Sequence, residues 1–313
     1  MGRRRLLAVL LLLLLGGCAA GVGRPPAPAG ELPSRIWPAS GPARAVLLAV
    51  HGFNDHKGAF ALLARELAPR GVTLVAYDQR GFGANPDRGF FPGWETLVLD
   101  LRAQLVKVRE AYPGLPLFVL GESMGAAVVV AALSAPDAPR VRGAILAAPA
   151  AWGGRELPWL YRALLTVAAA LAPDLRVTGA SLGRRASDNL EVLQALARDP
   201  LFIRETRLAA LRGLVALMDR AQERAPDFRL PVLVLVGARD EIVPPEVQRR
   251  FAQRLGSPLC RLVVYPDGWH LLFRDLQRAR VAEDVLAWLE GRPLPSGLAR
   301  ACREPAGGRD QAG

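Results

Sequence analysis

The sequence predicts an α/β fold in which a mostly parallel central sheet is flanked by helices. Short apolar runs such as Ala45 to Val50 lack the polar alternation of a half-exposed strand and are typical of strands buried on both faces. Segments with apolar residues at helical spacing separate these runs, and this alternation indicates a parallel sheet covered on both sides. Of the 313 residues, 51% are hydrophobic, which is enough for the core of one large domain.

The predicted elements alternate along most of the chain. Strands are expected at residues 45–50, 72–77, 117–120, 143–148, 232–236 and 261–265, and helices at 58–68, 95–112, 124–133, 245–255 and 276–289. The alternation stops between residues 151 and 229, where helical patterns run without a convincing strand. We expect this segment to be a helical lid inserted over the carboxyl edge of the sheet, the edge where open α/β sheets bind ligands. The whole domain is predicted to span residues 43–290.

The first residues have the three parts of an export signal. Residues 3–5 are arginines, the run from Leu6 to Leu15 is apolar but short for a bilayer-spanning helix, and small residues follow. Leu15-Gly16-Gly17-Cys18 resembles the lipobox of bacterial lipoproteins. This resemblance implies removal of residues 1–17 and lipidation of Cys18. An ordinary secreted protein cut nearby and an uncleaved anchor are the alternatives.

A lipidated Cys18 predicts a location in the bacterial cell envelope. The protein would be anchored to a membrane and would face the periplasm or the exterior. The outer membrane is slightly preferred, because Ala19 is not the acidic residue that holds some lipoproteins at the inner membrane. Residues 18–42 are rich in Gly, Ala and Pro and are expected to form an extended tether, and residues 291–313 a flexible tail.

The positive charge does not indicate a nucleic-acid partner. The formal charge is +11, and it falls to about +8 when the three signal arginines are subtracted. The remaining basic residues are scattered, and the sequence has no basic helix, aromatic-basic module or zinc-ligand spacing. Nucleic-acid binding is therefore not expected.

Two cysteines, Cys260 and Cys302, remain if Cys18 is lipidated. They could pair in an oxidising periplasm. Cys260 begins a predicted core strand and Cys302 lies in the predicted tail, so a free buried Cys260 is the alternative.

The strongest chemical signal is the pentapeptide from Gly121 to Gly125, which fits the pattern G-x-S-x-G. It follows a predicted strand and opens a predicted helix. In that context the serine sits on a sharp, strained turn, and the two glycines avoid crowding against neighbouring backbone. Ser123 is therefore the candidate nucleophile.

A serine nucleophile needs a base and a carboxylate that orients the base. After an elbow serine of this kind the chain supplies first the acid and then the histidine. That order selects His270, which follows the last predicted strand, over His51 and His56, which lie near the first. Asp240 follows the strand at 232–236 and is the candidate acid. Its rivals are two further loop acids, Glu241 and Asp267.

Backbone N–H groups must hold the negative oxygen that forms during ester cleavage. The expected donors are Met124, directly after the nucleophile, and Phe53, in the loop after the first strand. Gly52 permits the close approach of backbone that this requires, and His51 is expected to brace the loop. Asp78 and Arg80, after the second strand, are expected to form a salt-bridged turn that supports the same loop, rather than to act in catalysis.

Together these motifs resemble the monoacylglycerol lipase and lysophospholipase group of the α/β-hydrolase superfamily, often labelled serine aminopeptidase S33-like. The resemblance covers roughly residues 43–290. It depends on motifs at residues 51–56, 78–83, 121–125, 237–244 and 265–270. Ala126 and Asp55 depart from the family, which often has Gly and Glu at these positions, so the subfamily stays open.

The resemblance implies a serine hydrolase that cleaves carboxylic esters through an acyl-enzyme on Ser123, without a metal or organic cofactor. The strongly apolar segment at 157–171 fits an acyl-chain substrate such as a monoacylglycerol or lysophospholipid, and it fits equally a helix that packs on the sheet. A lipid anchor would hold the site near lipid substrates and so favours the first interpretation. A serine at position 123 argues against the dehalogenase and epoxide hydrolase relatives, which have Asp there. The alternatives are a peptidase or amidase with the same triad and a binding lipoprotein that has lost turnover.

Overall fold

A computed structural model describes residues 31–153, 156, 158–178 and 183–303. Its core is an eight-stranded sheet with the order β1-β3-β2-β4-β5-β8-β9-β10. The strands of this sheet are β1 Ser34–Trp37, β2 Ala45–Val50, β3 Val72–Tyr77, β4 Leu117–Glu122, β5 Gly143–Ala147, β8 Val232–Gly237, β9 Cys260–Tyr265 and β10 Arg300–Ala301. The six central strands, β3, β2, β4, β5, β8 and β9 in their order across the sheet, pair in parallel. Strands β1 and β10 form the two edges and pair antiparallel with their neighbours. The predicted, mostly parallel central sheet is therefore confirmed.

Helices cover both faces of the sheet. They are α1 Ala61–Leu67, α2 Trp94–Ala111, α3 Met124–Leu133, α4 Trp159–Leu171, α5 Leu190–Arg198, α6 Leu208–Arg224, α7 Pro245–Arg254 and α8 Arg278–Leu289. Because side chains alternate along a strand, Val46, Leu48 and Val50 point to one face, and the residues between them point to the other. The first face packs against α2, α3, α6 and α7, and the second against α1 and α8. Burial on both faces explains the unbroken apolar runs in the sequence.

The ordered domain extends beyond the predicted limits at both ends. Leu32 is buried, and β1 pairs with β3 within the segment expected to be a tether. At the other end β10 pairs with β9, and Cys302 forms a disulfide with Cys260 within the expected flexible tail. Both edge strands are short and contain no buried residue, so they carry little periodic signal in the sequence. The predicted signal peptide and Cys18 lie outside the described residues.

The insertion between β5 and β8 contains α4, α5 and α6. It also contains a two-stranded antiparallel sheet, β6 Arg176–Thr178 and β7 Glu205–Arg207, which the sequence analysis did not expect. Three-residue strands are too short to show an alternating pattern. Among the described residues, no helix is long and apolar enough to cross a membrane.

The insertion contacts the loops at the carboxyl edge of the main sheet. The N–H of Ile203 donates to the carbonyl of Asn54, after β2, and Arg88, after β3, donates to the carbonyl of Pro200. The N–H of Leu271, after β9, donates to the carbonyl of Ala186. The insertion is therefore fixed to three of the loops that follow parallel strands.

Candidate active site

Ser123 lies on the turn between β4 and α3 with strained backbone angles, φ 54° and ψ −117°. Few residues other than glycine adopt a positive φ, so surrounding structure must hold the serine in place. A Cβ on Gly125 would lie 2.0 Å from the carbonyl oxygen of Val50, and one on Gly121 would lie 2.5 Å from the backbone nitrogen of Ala126. Both glycines are therefore needed for the backbone to pass at this turn.

Ser123, His270 and Asp240 form a continuous chain of hydrogen-bonding distances. The Nε2 atom of His270 lies 3.0 Å from the Oγ of Ser123, and its Nδ1 lies 2.7 Å from Oδ2 of Asp240. An ionised carboxylate only accepts hydrogen bonds, so it fixes the proton on Nδ1 and leaves Nε2 to accept from the serine hydroxyl. This arrangement can move a proton off the hydroxyl as it attacks a carbonyl carbon.

The Asp240 carboxylate is held from several directions. Its Oδ1 accepts hydrogen bonds from the N–H groups of Ile242 at 2.8 Å and Val243 at 2.9 Å. Its Oδ2 accepts a further one from the side-chain amide of Gln248 at 2.8 Å. The side chain of Asp240 is fully buried. The carboxylate therefore keeps one orientation toward His270.

The two titratable partners shift each other's pKa. Burial alone would raise the pKa of Asp240, but the neighbouring His270 and the N–H groups of Val243 and Ile242 hold that pKa below its ordinary value. Burial alone would lower the pKa of His270, but the Asp240 carboxylate, its hydrogen bond and the nearby Glu122 carboxylate raise it. The pair therefore favours an ionised Asp240 and stabilises a positive charge on His270.

The loop that carries Phe53 passes directly beside the nucleophile. A Cβ on Gly52 would lie 3.3 Å from the Cβ of Ser123, which leaves no room for a larger residue without movement of the serine. His51 braces this loop, because its Nδ1 donates to the carbonyl of Gly52 at 2.8 Å and its Nε2 accepts from the N–H of Gln79 at 3.0 Å. Met124 follows the serine as the first residue of α3. Phe53 and Met124 thus flank Ser123 from two segments.

A buried ionic cluster connects three loops behind this site. The guanidinium of Arg274, four residues after His270, lies 2.6 Å from Asp55 Oδ2 and 3.0 Å from Glu122 Oε2. Asp55 follows Phe53 by two residues, and Glu122 precedes Ser123. Burial raises the pKa of Glu122, and Arg274 opposes this shift. The cluster joins the histidine loop, the elbow and the Phe53 loop.

The rival acids have other partners. Glu241 accepts from the N–H of Arg185, and the exposed Asp267 pairs with Arg239. The expected salt bridge between Asp78 and Arg80 is not formed. Instead Asp78 binds Lys57, in the segment after Phe53, and Arg80 binds Asp100 on α2. Asp78 still supports the Phe53 loop, but through Lys57.

Gln248 and Arg274 are the site residues that sequence reasoning missed. Both occur outside any motif, on a helix and in a loop whose polar residues look like ordinary surface groups. A fully buried glutamine at position 248 became recognisable only when α7 was packed on the sheet. Among the described residues, no group of three or more His, Cys, Asp or Glu side chains could hold a metal ion.

The chain is similar to known hydrolases in both sequence and structure. The family described as "Serine aminopeptidase, S33" matches residues 41–277. The monoacylglycerol lipase of Mycolicibacterium smegmatis is 28% identical over 257 residues, which cover 81% of this chain and 91% of that protein. The human monoglyceride lipase is 26% identical over 275 residues, covering 85% and 88%.

A solved structure supports the same fold. The crystal structure of a monoacylglycerol lipase from Paleococcus ferrophilus superposes with a TM-score of 0.71 and 24% sequence identity. The superposition covers 84% of this chain and 99% of that one. At this identity the likeness establishes the fold, and the substrate has to be argued from the site.

Proposed function

The chain belongs to the serine aminopeptidase S33 family of α/β-hydrolases, as a lipase- or esterase-like serine hydrolase, and we propose that it cleaves carboxylic esters of monoacylglycerol or lysophospholipid type. The observation that carries this proposal is the chain of hydrogen-bonding distances from Ser123 through His270 to Asp240. It lies at a strained elbow on the carboxyl edge of the sheet, where such folds bind ligands.

The proposed reaction has two steps. The Oγ of Ser123 attacks the ester carbonyl carbon while its proton passes to Nε2 of His270, and the N–H groups of Phe53 and Met124 stabilise the oxyanion. The C–O bond to the alcohol then breaks, and the alcohol leaves with the proton from His270. In the second step water gives its proton to His270 and attacks the acyl-enzyme. The acid is released and the proton returns to Ser123.

The surface of the insertion supports an acyl-chain substrate. Helix α4 exposes several large apolar side chains, including Trp159 (78% exposed), Tyr161 (64%) and Leu171 (81%). Several large apolar side chains exposed on one helix are typical of a lipid or protein contact. The similar proteins from Mycolicibacterium smegmatis and human are both named as lipases of monoacylated glycerol.

The test is hydrolysis of a p-nitrophenyl ester series of increasing chain length and of 1-monoacylglycerol and a lysophospholipid. The full chain in non-ionic detergent is compared with Ser123→Ala. We expect turnover that rises with acyl length and is lost in the variant. Turnover that Ser123→Ala retains would refute the assignment of the nucleophile, and no ester turnover by the folded wild-type protein would refute the ester hydrolase.

The assignment of the acid has its own matched pair of variants. Asp240→Asn removes the carboxylate that fixes the tautomer of His270, and a loss of kcat of roughly 10³- to 10⁴-fold is expected from that change in triad enzymes. Asp267→Asn alters an exposed acid in the neighbouring loop and is expected to keep kcat. Equal losses in the two variants would contradict the role of Asp240.

A peptidase is the second candidate, favoured by the family's description as serine aminopeptidases. The same triad can attack an amide carbonyl. Short peptide p-nitroanilides, assayed beside the ester series, separate the two activities through their kcat/KM values. A fluorophosphonate probe tests the third candidate, a binding protein without turnover. Labelling of wild-type protein but not Ser123→Ala would exclude it.

We also propose that the protein is exported and anchored to a bacterial membrane through Cys18. The disulfide between Cys260 and Cys302 supports export, because disulfides persist in oxidising compartments such as the periplasm. In a bacterial host, labelled palmitate should be incorporated by the wild-type chain and not by Cys18→Ser, which should leave the membrane fraction. If the wild-type chain is exported but carries no label, lipidation is contradicted and the protein is an ordinary secreted one.

A further inference from the structure

An arginine-lined cavity of about 460 Å³ lies beside the insertion, between the loop after β3 and the small sheet of β6 and β7. Four of its lining residues are arginines: Arg88, Arg176, Arg204 and Arg207. Among the described residues that line it, Glu205 is the one acid. The lining therefore has an excess of positive charge even though Asp174, outside the lining, pairs with Arg207, and this excess is not visible in the scattered basic residues of the sequence.

Two of these arginines converge on neighbouring backbone carbonyls. Arg88 donates from Nη1 to the carbonyl of Pro200 at 2.9 Å, and Arg204 donates from Nη2 to the carbonyl of Asp199 at 3.0 Å. Each guanidinium has five N–H donors, so each bond leaves others for a ligand. Because the protein already holds both groups in place, less conformational entropy is lost when a ligand binds.

The other two arginines face each other across the small sheet. Arg176 and Arg207 are directly opposed in the pairing of β6 with β7. Like charges in this position destabilise a strand pair. Arg207 binds Asp174 and stacks on the ring of Phe90, yet its buried Nε–H has no hydrogen-bond acceptor among the described residues. An anion in the cavity would offset the repulsion that the pairing of Arg207 with Asp174 leaves.

We propose that this cavity binds a phosphate group, carried either by the headgroup of an acidic lipid or by a soluble phosphate ester. Guanidinium groups match the geometry of phosphate oxygens and bind them in pairs. A phosphate ester carries more charge than a single carboxylate and has enough oxygen atoms for several guanidinium groups at once. The volume of the cavity leaves room for the glycerol part of a headgroup beside the phosphate.

The cavity is tied to the loop that carries Phe53. The segment from Asp199 to Thr206 contains cavity residues and binds that loop at three points. Asp199 binds His56 at 2.9 Å, Ile203 donates to the carbonyl of Asn54 at 2.9 Å, and Thr206 accepts from the side chain of Asn54 at 2.7 Å. The proposed phosphate site therefore lies against the structure that supports the catalytic centre.

The test measures binding, so it does not depend on the proposed ester hydrolysis. Full-length Ser123→Ala protein is titrated calorimetrically with inorganic phosphate, with glycerol 3-phosphate, and with non-ionic micelles containing lysophosphatidic acid. Micelles with monoacylglycerol of the same chain length are the neutral match. Adding Arg88→Gln and Arg204→Gln together should weaken phosphate binding at least tenfold. Arg198→Gln, which removes an exposed arginine of α5 that does not line the cavity, should leave it unchanged.

The arms of this experiment also identify the source of the phosphate. Tighter binding of lysophosphatidic acid micelles than of glycerol 3-phosphate indicates a lipid headgroup, and equal affinities indicate a soluble phosphate ester. The proposal is overturned if no phosphate probe binds the parent protein. It is also overturned if the double variant, with an unchanged thermal unfolding midpoint, binds as tightly as Arg198→Gln.

Discussion

Gln248 donates its side-chain amide to Oδ2 of Asp240 across 2.8 Å, and His270 contacts the same oxygen at 2.7 Å. The same amide group also donates to the carbonyl of Val243 at 2.8 Å. Gln248 is fully buried on α7, so water cannot take its place. The glutamine thus links the helix after β8 to the carboxylate that orients the histidine.

Substitution of Gln248→Leu is expected to lower kcat roughly tenfold. A hydrogen bond to a charged group contributes about 1.5–3 kcal/mol, and without it Asp240 holds His270 less firmly in the orientation needed for proton transfer. KM should change little, since Gln248 is fully buried and its amide binds Asp240 and Val243. Steady-state kinetics on a p-nitrophenyl ester provide the measurement. Gln253→Leu, on the exposed face of the same helix, is the control. Equal kcat values for the two variants would contradict the proposed role.

The pKa of His270 predicts the acid limb of the pH profile. Burial alone would lower this pKa, but Asp240 and Glu122 raise it, so kcat/KM should rise with pH through an apparent pKa above the usual value near 6.5. Glu122→Gln removes one negative charge and leaves Arg274 less neutralised. Both effects lower the pKa of His270, so the acid limb should move to lower pH. If the acid limb of Glu122→Gln lies at the same pH as that of the wild-type protein, the proposed effect of Glu122 on the pKa of His270 is refuted.

The same shift affects stability with a defined sign. A histidine whose pKa is higher in the folded state contributes stability at pH values below its unfolded pKa. That contribution is lost as the pH rises through the folded pKa. Urea unfolding of wild-type protein and Glu122→Gln, measured as the pH rises through the folded-state pKa of His270, should show a smaller loss of unfolding free energy for the variant.

The parts of the fold that could be predicted from sequence are those with a local signal. The buried strands and the glycines around Ser123 follow from patterns within a few residues. Asp240 and His270 can be identified because each lies shortly after a predicted strand and because the acid precedes the histidine along the chain. The clusters around Gln248 and Arg274 depend on contacts between segments far apart in the chain. The edge strands β1 and β10 are short and their residues are mostly exposed, so they lack the continuous apolar run that identified the central strands.

The disulfide between Cys260 and Cys302 should contribute measurably to stability. It closes a loop of 42 residues, for which the expected contribution is about 2–4 kcal/mol. Cys302→Ser should therefore lower Tm by roughly 5–15 °C in non-reducing buffer. Dithiothreitol should bring the wild-type Tm down to that of the variant and leave the variant unchanged. A wild-type Tm that does not respond to full reduction would contradict this prediction.

Arg274 neutralises two buried carboxylates, Asp55 and Glu122, and its removal should be far more damaging than the loss of a surface ion pair. Arg274→Met leaves both acids buried without their cation, which is expected to cost about 3–5 kcal/mol of unfolding free energy. Arg70→Met breaks an exposed pair with Glu283 and should cost less than about 1 kcal/mol. Urea unfolding of the two variants gives the comparison.

A triple variant separates the charge of Arg274 from its packing. Adding Asp55→Asn and Glu122→Gln to Arg274→Met removes the uncompensated negative charges but keeps the shapes of both side chains. Much of the unfolding free energy lost in Arg274→Met should be restored, because burying an uncharged amide costs less free energy than burying an unpaired carboxylate. If the triple variant is as unstable as Arg274→Met alone, the arginine acts mainly through its packing, and the electrostatic explanation of the cluster is wrong.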